Sequence, residues 1–168
     1  MQRRRVVPAL AALAAGSALA GCGFRLRGAA SFGFRSLHLA SDTSLAQELR
    51  QALDASGGAL RVFDASTPPQ QADVVLELAS EQRQRVVAGR SAGGQVRELQ
   101  LRIVLRFRLV TPQGEALIPD TELTQQRDIS YNESQALAKE NEEALMFRDM
   151  QTDLVQQLVR RLAAVRLR

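Results

Sequence analysis

Tryptophan is absent from the sequence, and cysteine, histidine, lysine and tyrosine each occur once in 168 residues. These shortages exclude most enzyme classes. The single imidazole, His38, falls inside a predicted strand, where a lone histidine reads as a structural residue. There is no His-Glu-x-x-His pair and no phosphate-binding glycine loop. The carboxylates Glu140, Glu142, Glu143, Asp149 and Asp153 are spread along a predicted helix beside cations. That pattern is a solvated helix face, not a pair set for acid–base work. No metal site and no cofactor are expected. Six phenylalanines and one tyrosine give little aromatic lining for a large apolar cavity, which argues against a carrier of alkyl chains.

What is present begins at the N-terminus. Arg3, Arg4 and Arg5 precede an apolar stretch from Val6 to Ala20, followed by Leu19-Ala20-Gly21-Cys22. A basic region, an apolar region and small residues before a cut are the parts of a secretory signal peptide. The stretch is too short for a comfortable membrane span. Leu-Ala-Gly-Cys resembles a bacterial lipobox, in which the cysteine is acylated and becomes the new N-terminus. More than one acyl chain anchors stably, at about 0.8 kcal/mol per buried CH2. We therefore expect residues 1–21 to be a signal peptide, 22–35 to be lipidated Cys22 with a linker, and 36–168 to be one domain. With its thiol acylated, the chain has no disulfide, and packing alone must hold the fold. In lipoproteins of this class an aspartate directly after the cysteine means retention in the inner membrane; Gly23 stands there instead, which favours the outer membrane. Loss of three arginines leaves 19 cations against 18 anions, too balanced for a nucleic-acid binder.

Along the rest of the chain, Arg35–Ala40 alternates and predicts a short strand. Ser44 and Gln47 have capping-box spacing, and Leu45, Leu49 and Leu53 make a helical stripe that Gly57-Gly58 ends. Leu60–Phe63 reads as a further short extended piece. Val74 onward alternates into a polar run, Glu81–Arg85, with Gly89, Gly93 and Gly94 as turn residues. Leu99, Leu101, Ile103, Leu105, Phe107 and Leu109 then point one way, and Gln100, Arg102, Val104, Arg106 and Arg108 the other. Ala116–Ile118 and Leu123–Ile129 return as a hairpin partner beyond Thr111-Pro112-Gln113-Gly114, interrupted at Pro119, which suggests an edge strand or a bulge. Asn132 or Ser134 caps a long helix, Ala136–Leu162, whose stripe is Phe147, Met150, Leu154, Leu158 and Leu162, extended by Leu137, Ala144 and Val155. The order is β-α-β-β-β-α. It predicts a two-layer α+β sandwich, with two helices packed on one face of a four-stranded, mostly antiparallel sheet.

Two features carry binding chemistry. Arg102, Arg106 and Arg108 would line the open sheet face, either as a solvated surface or against an anionic ligand or polar protein wall. Arg90-Ser91-Ala92-Gly93-Gly94, flanked by Arg83, Arg85 and Arg97, is either an ordinary hairpin tip or an anion contact.

Some of these residues carry a resemblance. Gly21–Gly28, Asp128–Asn132, Ala136–Glu143, Arg148-Asp149-Met150 and the Gln156–Leu162 end resemble the lipopolysaccharide-assembly lipoprotein LptE family. The resemblance implies a non-enzymatic lipoprotein on the periplasmic side of the outer membrane. Such a protein plugs the LptD β-barrel one to one, assists its assembly and binds lipopolysaccharide. It also implies lipopolysaccharide contacts at Lys139, which matches without a gap, and at Arg90, the nearest match in a longer loop, with Arg85 or Arg97 as substitutes. Cations facing lipid phosphates make strong charge-assisted hydrogen bonds. A periplasmic lipid carrier and a purely structural barrel-assembly protein are the alternatives.

Overall fold

The computed structural model describes residues 30–56, 60–132 and 136–167. The expected signal peptide, Cys22, Gly57-Gly58 and Ser134 lie outside these residues.

In chain order the elements are β1 (Ser36–His38), α1 (Ser44–Asp54), β2 (Arg61–Phe63), a single 3-10 turn (Pro69–Gln71), β3 (Val74–Arg90), β4 (Val96–Val110), β5 (Ala116–Ser130) and α2 (Ala136–Ala164). The sheet has five strands in the order β2-β1-β3-β4-β5. β1 runs parallel to both β2 and β3, whereas β3–β4 and β4–β5 are antiparallel. The expected four-stranded, mostly antiparallel sheet is instead five-stranded and mixed: the three long strands are antiparallel, and the short β1 and β2 join in parallel. Arg61–Phe63 is too short to show a period, yet it pairs with Ser36–His38 along its whole length.

Both helices lie on the leucine face. Leu101, Ile103, Leu105, Phe107 and Leu109 of β4 are fully buried against Leu45, Leu49 and Leu53 of α1 and Met150, Leu154, Leu158 and Leu162 of α2, in one core. The stripe breaks at its start: Leu137 is 79% exposed, and Ala144 is exposed too. The first half of α2 therefore turns its Leu137–Ala144 side away from the core.

α1 is capped one residue earlier than the spacing suggests: Thr43 Oγ1 accepts from the N–H of Ala46, at 3.2 Å. Pro119 sits in the outermost strand, beside a register shift that fits three residues of β5 against two of β4. Both expected devices are present there. The core reaches back to Phe34, and Gly33 bridges Arg166, where a Cβ would meet the Val165 carbonyl at 2.5 Å. Asp73 fastens the start of β1, accepting from the N–H groups of Arg35 at 2.7 Å and Ser36 at 3.1 Å. His38 is structural: its Nε2 donates to the Thr67 carbonyl at 3.0 Å.

Candidate functional site

β3, β4 and β5 extend well past β1 and α1, and the four candidate cations gather at their far end. The row Gly89, Glu98, Ser130 crosses the three strands there. Lys139 stands on the first turn of α2 above it. Its side chain is only 15% exposed, and its Nζ donates to Glu142 Oε2 at 2.7 Å and Ser130 Oγ at 3.3 Å.

Arg90 ends β3. Its Nη1 donates to the Gly94 carbonyl at 3.0 Å and closes the hairpin tip across its own turn. The tip is tied by Ser91 N–H to Gln95 O at 2.8 Å and Gly94 N–H to Ser91 O at 2.9 Å. Gly94 has φ of 81°, which a side chain would strain. Arg97 is exposed and donates to Gln95 Oε1 at 3.1 Å.

Arg85 differs from these. It pairs across β4 with Leu101 and so faces α2, where its Nη2 lies 3.1 Å from Glu143 Oε1. That carboxylate is 8% exposed, and the contact is a charge pair without hydrogen-bond alignment. Taking Arg85 away would strand a buried charge, a strongly destabilising event. The geometry thus leaves Arg90 and Arg97 as the tip's available cations and makes Arg85 a fixture of the helix–sheet contact.

The arginine row on the open face is largely compensated. Arg106 Nε lies 3.3 Å from Glu122 Oε2, and Arg108 Nε lies 2.6 Å from Glu77 Oε2. That hydrogen bond, with the Glu77 charge, raises the Arg108 guanidinium above the ordinary arginine range. Arg102 donates to Gln100, which donates in turn to Asp128, each at 3.0 Å. A polar face with internally paired charges suits a polar wall better than a free anion.

One polar knot had no sequence signal. Gln151 of α2 is buried; its Oε1 accepts from Ser44 Oγ at 3.2 Å and from Arg83, and its Nε2 donates to Glu48 Oε2 at 2.7 Å. It joins both helices to β3. Among the described residues no cluster of His, Cys, Asp or Glu is arranged for a metal, and no helix is long and apolar enough to cross a membrane.

A family model for lipopolysaccharide assembly, LptE, matches residues 34–162. The chain belongs to the LptE family. Members are non-enzymatic envelope lipoproteins of lipopolysaccharide assembly. Comparison with curated proteins by sequence gave no match. Among solved structures the chain is similar to a lipoprotein B from Nitrosomonas europaea, at 23% identity and a TM-score of 0.69, over 84% of this chain and 91% of that one. It is similar to rare lipoprotein B from Shewanella oneidensis, at 23% identity and a TM-score of 0.64, over 77% and 94%. A minor lipoprotein from Acinetobacter baumannii gives 22% identity and a TM-score of 0.61, over 79% and 95%. At these identities the likeness is one of fold.

Proposed function

We propose that this LptE-family chain is anchored through acyl chains on Cys22 to the periplasmic side of the outer membrane. There it plugs an LptD β-barrel in a one-to-one complex, assists its assembly and binds lipopolysaccharide. The single observation that supports the ligand reading is the cation cluster at the far end of the long strands. Lys139 reaches Ser130, and Arg90 and Arg97 follow Gly89 and precede Glu98 in the same cross-strand row, so three elements carry a cation to that end. The internally neutralised sheet face supports the plug reading, because it can lie against a polar lumen without burying unpaired charge.

The geometry adds a condition to the mechanism. Lys139 is already held by Glu142 and Ser130, so an incoming phosphate competes with Glu142 for the ammonium. Binding is an exchange of counter-ions, with Arg90 and Arg97 supplying guanidinium forks at the tip.

The test is a pull-down from detergent-solubilised outer membrane, paired with lipopolysaccharide binding by the purified protein. We expect a near-stoichiometric barrel band for the natural sequence and for Lys139→Glu, with lipopolysaccharide binding lost only in the variant. Unchanged lipopolysaccharide binding in Lys139→Glu and in Arg90→Glu would favour the purely structural barrel-assembly reading. A preparation with no barrel partner would sink the plug and favour a free carrier.

A further inference from the structure

The long helix buries different chemistry along its length. In its second half, beside α1, α2 puts Met150, Leu154, Val155, Leu158 and Leu162 into the core. Among the described side chains from Leu137 to Asp149, only Glu143 is buried. The leucines of that stretch point away: Leu137 is 79% exposed and Leu145 is 58% exposed. The sheet beneath keeps its character. Leu99 and Ile129 are cross-strand partners, and both are buried, as is Leu101. The first half of α2 roofs them, since Lys139 reaches Ser130 and Glu143 reaches Arg85, the cross-strand partner of Leu101.

This roof is inverted. It lays an ammonium and a carboxylate over an apolar floor and holds its leucines out to solvent. An ordinary amphipathic helix does the reverse and takes its stability from the buried stripe. Here the hold on the sheet is polar: Lys139 Nζ to Ser130 Oγ at 3.3 Å, Arg85 Nη2 to Glu143 Oε1 at 3.1 Å, and Arg127 Nη1 to Asp149 Oδ2 at 3.9 Å. The second contact carries a cost of its own, because the Glu143 carboxylate is out of water and its Oε1 has no aligned hydrogen bond. Opening the segment returns that charge to water, which offsets part of the cost of opening. Apolar contact with the core begins only at Met146 and Phe147.

We propose that α2 up to Phe147 is a strap that opens as a unit of its own, with the Arg85–Glu143 pair as its latch, while the rest of the helix and the sheet stay folded. Segments with few buried apolar contacts open at free energies far below that of global unfolding. Opening bares Leu99, Leu101 and Ile129 beside the exposed Val87, the other cross-strand partner of Leu99. The row Val87, Leu99, Ile129 then forms an apolar strip across three strands that the closed state hides. Opening also releases Lys139 from Ser130. The strap needs no ligand and no barrel, so its failure would leave the reading above untouched.

The test is amide hydrogen exchange on the full-length protein in detergent. We expect amides from Glu143 to Phe147 to exchange at least about a hundredfold faster than those from Leu154 to Leu162. Arg85→Met strands Glu143 and should speed the first set about tenfold further, leaving the second set unchanged. The double variant Arg85→Met/Glu143→Leu replaces the charged latch with an apolar one and should bring the first set back to the natural rate or below it. Equal protection of the two sets in the natural protein would overturn the strap. So would Arg85→Met speeding both sets alike, since the helix would then open as a whole. No change in Arg85→Met, or no recovery in the double variant, would overturn the latch. A thiol placed by Leu99→Cys adds an independent readout. Iodoacetamide should label it faster when Arg85→Met is added and slowly again in the double variant. Equal labelling throughout would show that the floor stays covered and would overturn the proposal.

Discussion

At one end of the molecule, strands of three residues, a short helix and the second half of α2 enclose side chains from Phe34 to Leu162. At the other end, three long strands and half a helix carry Lys139, Arg90, Arg97, Arg85 and the exposed Val86, Val87, Leu137 and Leu145. The same β4 runs through both. Its odd-numbered residues from Leu101 to Leu109 are fully buried, so the strand itself does not loosen toward the tip. What changes is the cover. The difference teaches that a single rigid sheet can serve stability at one end and display at the other, simply by ending its neighbours early.

This contrast can be broken. Phe107→Ala, in the enclosed half, should cost about 3–5 kcal/mol in denaturant unfolding, through lost burial and the cavity left behind. Val87→Ala, in the displayed half, should barely shift the midpoint. If the two cost the same, the two ends are not energetically distinct. Gln151→Ala takes one hydrogen bond from each of Arg83, Ser44 and Glu48, which keep Glu81, Arg83 and Thr152 as partners, and should cost about 1–3 kcal/mol, with NMR shifts at Ser44 and Arg148.

Smaller effects sharpen the comparison. Gly94→Ala strains a left-handed tip residue and should cost about 1 kcal/mol or less locally, seen as faster amide exchange at Ser91 and Gln95. The core melting temperature should hold. Glu142→Gln should change stability least of all and should tighten lipopolysaccharide binding several-fold by freeing Lys139, an effect that grows at low salt. An unchanged affinity would show that Glu142 does not compete.

Much of this fold was legible because period-two alternation is hard to mimic. Leu99 to Leu109 announced both a buried face and an open one, and Pro119 announced an edge. The fifth strand is legible only as a short extended piece at Leu60–Phe63, not as a member of the sheet, because Arg61–Phe63 has no period and its partner, Ser36–His38, is remote in sequence. Parallel pairing leaves no hairpin signal between them. Leu137 and Ala144 were assigned to the core because a helical stripe says which side is apolar, not where its cover ends. The site was legible in part. The cations could be named, but only strand register separates Arg85, turned toward α2, from Arg90 and Arg97 at the tip. Gln151 gave no signal, since a glutamine in a helix looks the same whether it is solvated or central.

The bridge between Gly33 and Arg166 has a consequence of scale. It brings the first and last described segments together at the enclosed end, remote from the hairpin tip. β4 has 15 residues, a span of about 50 Å at roughly 3.4 Å each. A bilayer with its headgroups measures about 40–45 Å. The enclosed end and the hairpin tip thus stand about a membrane's thickness apart, and lengthening or shortening the strands would change that reach.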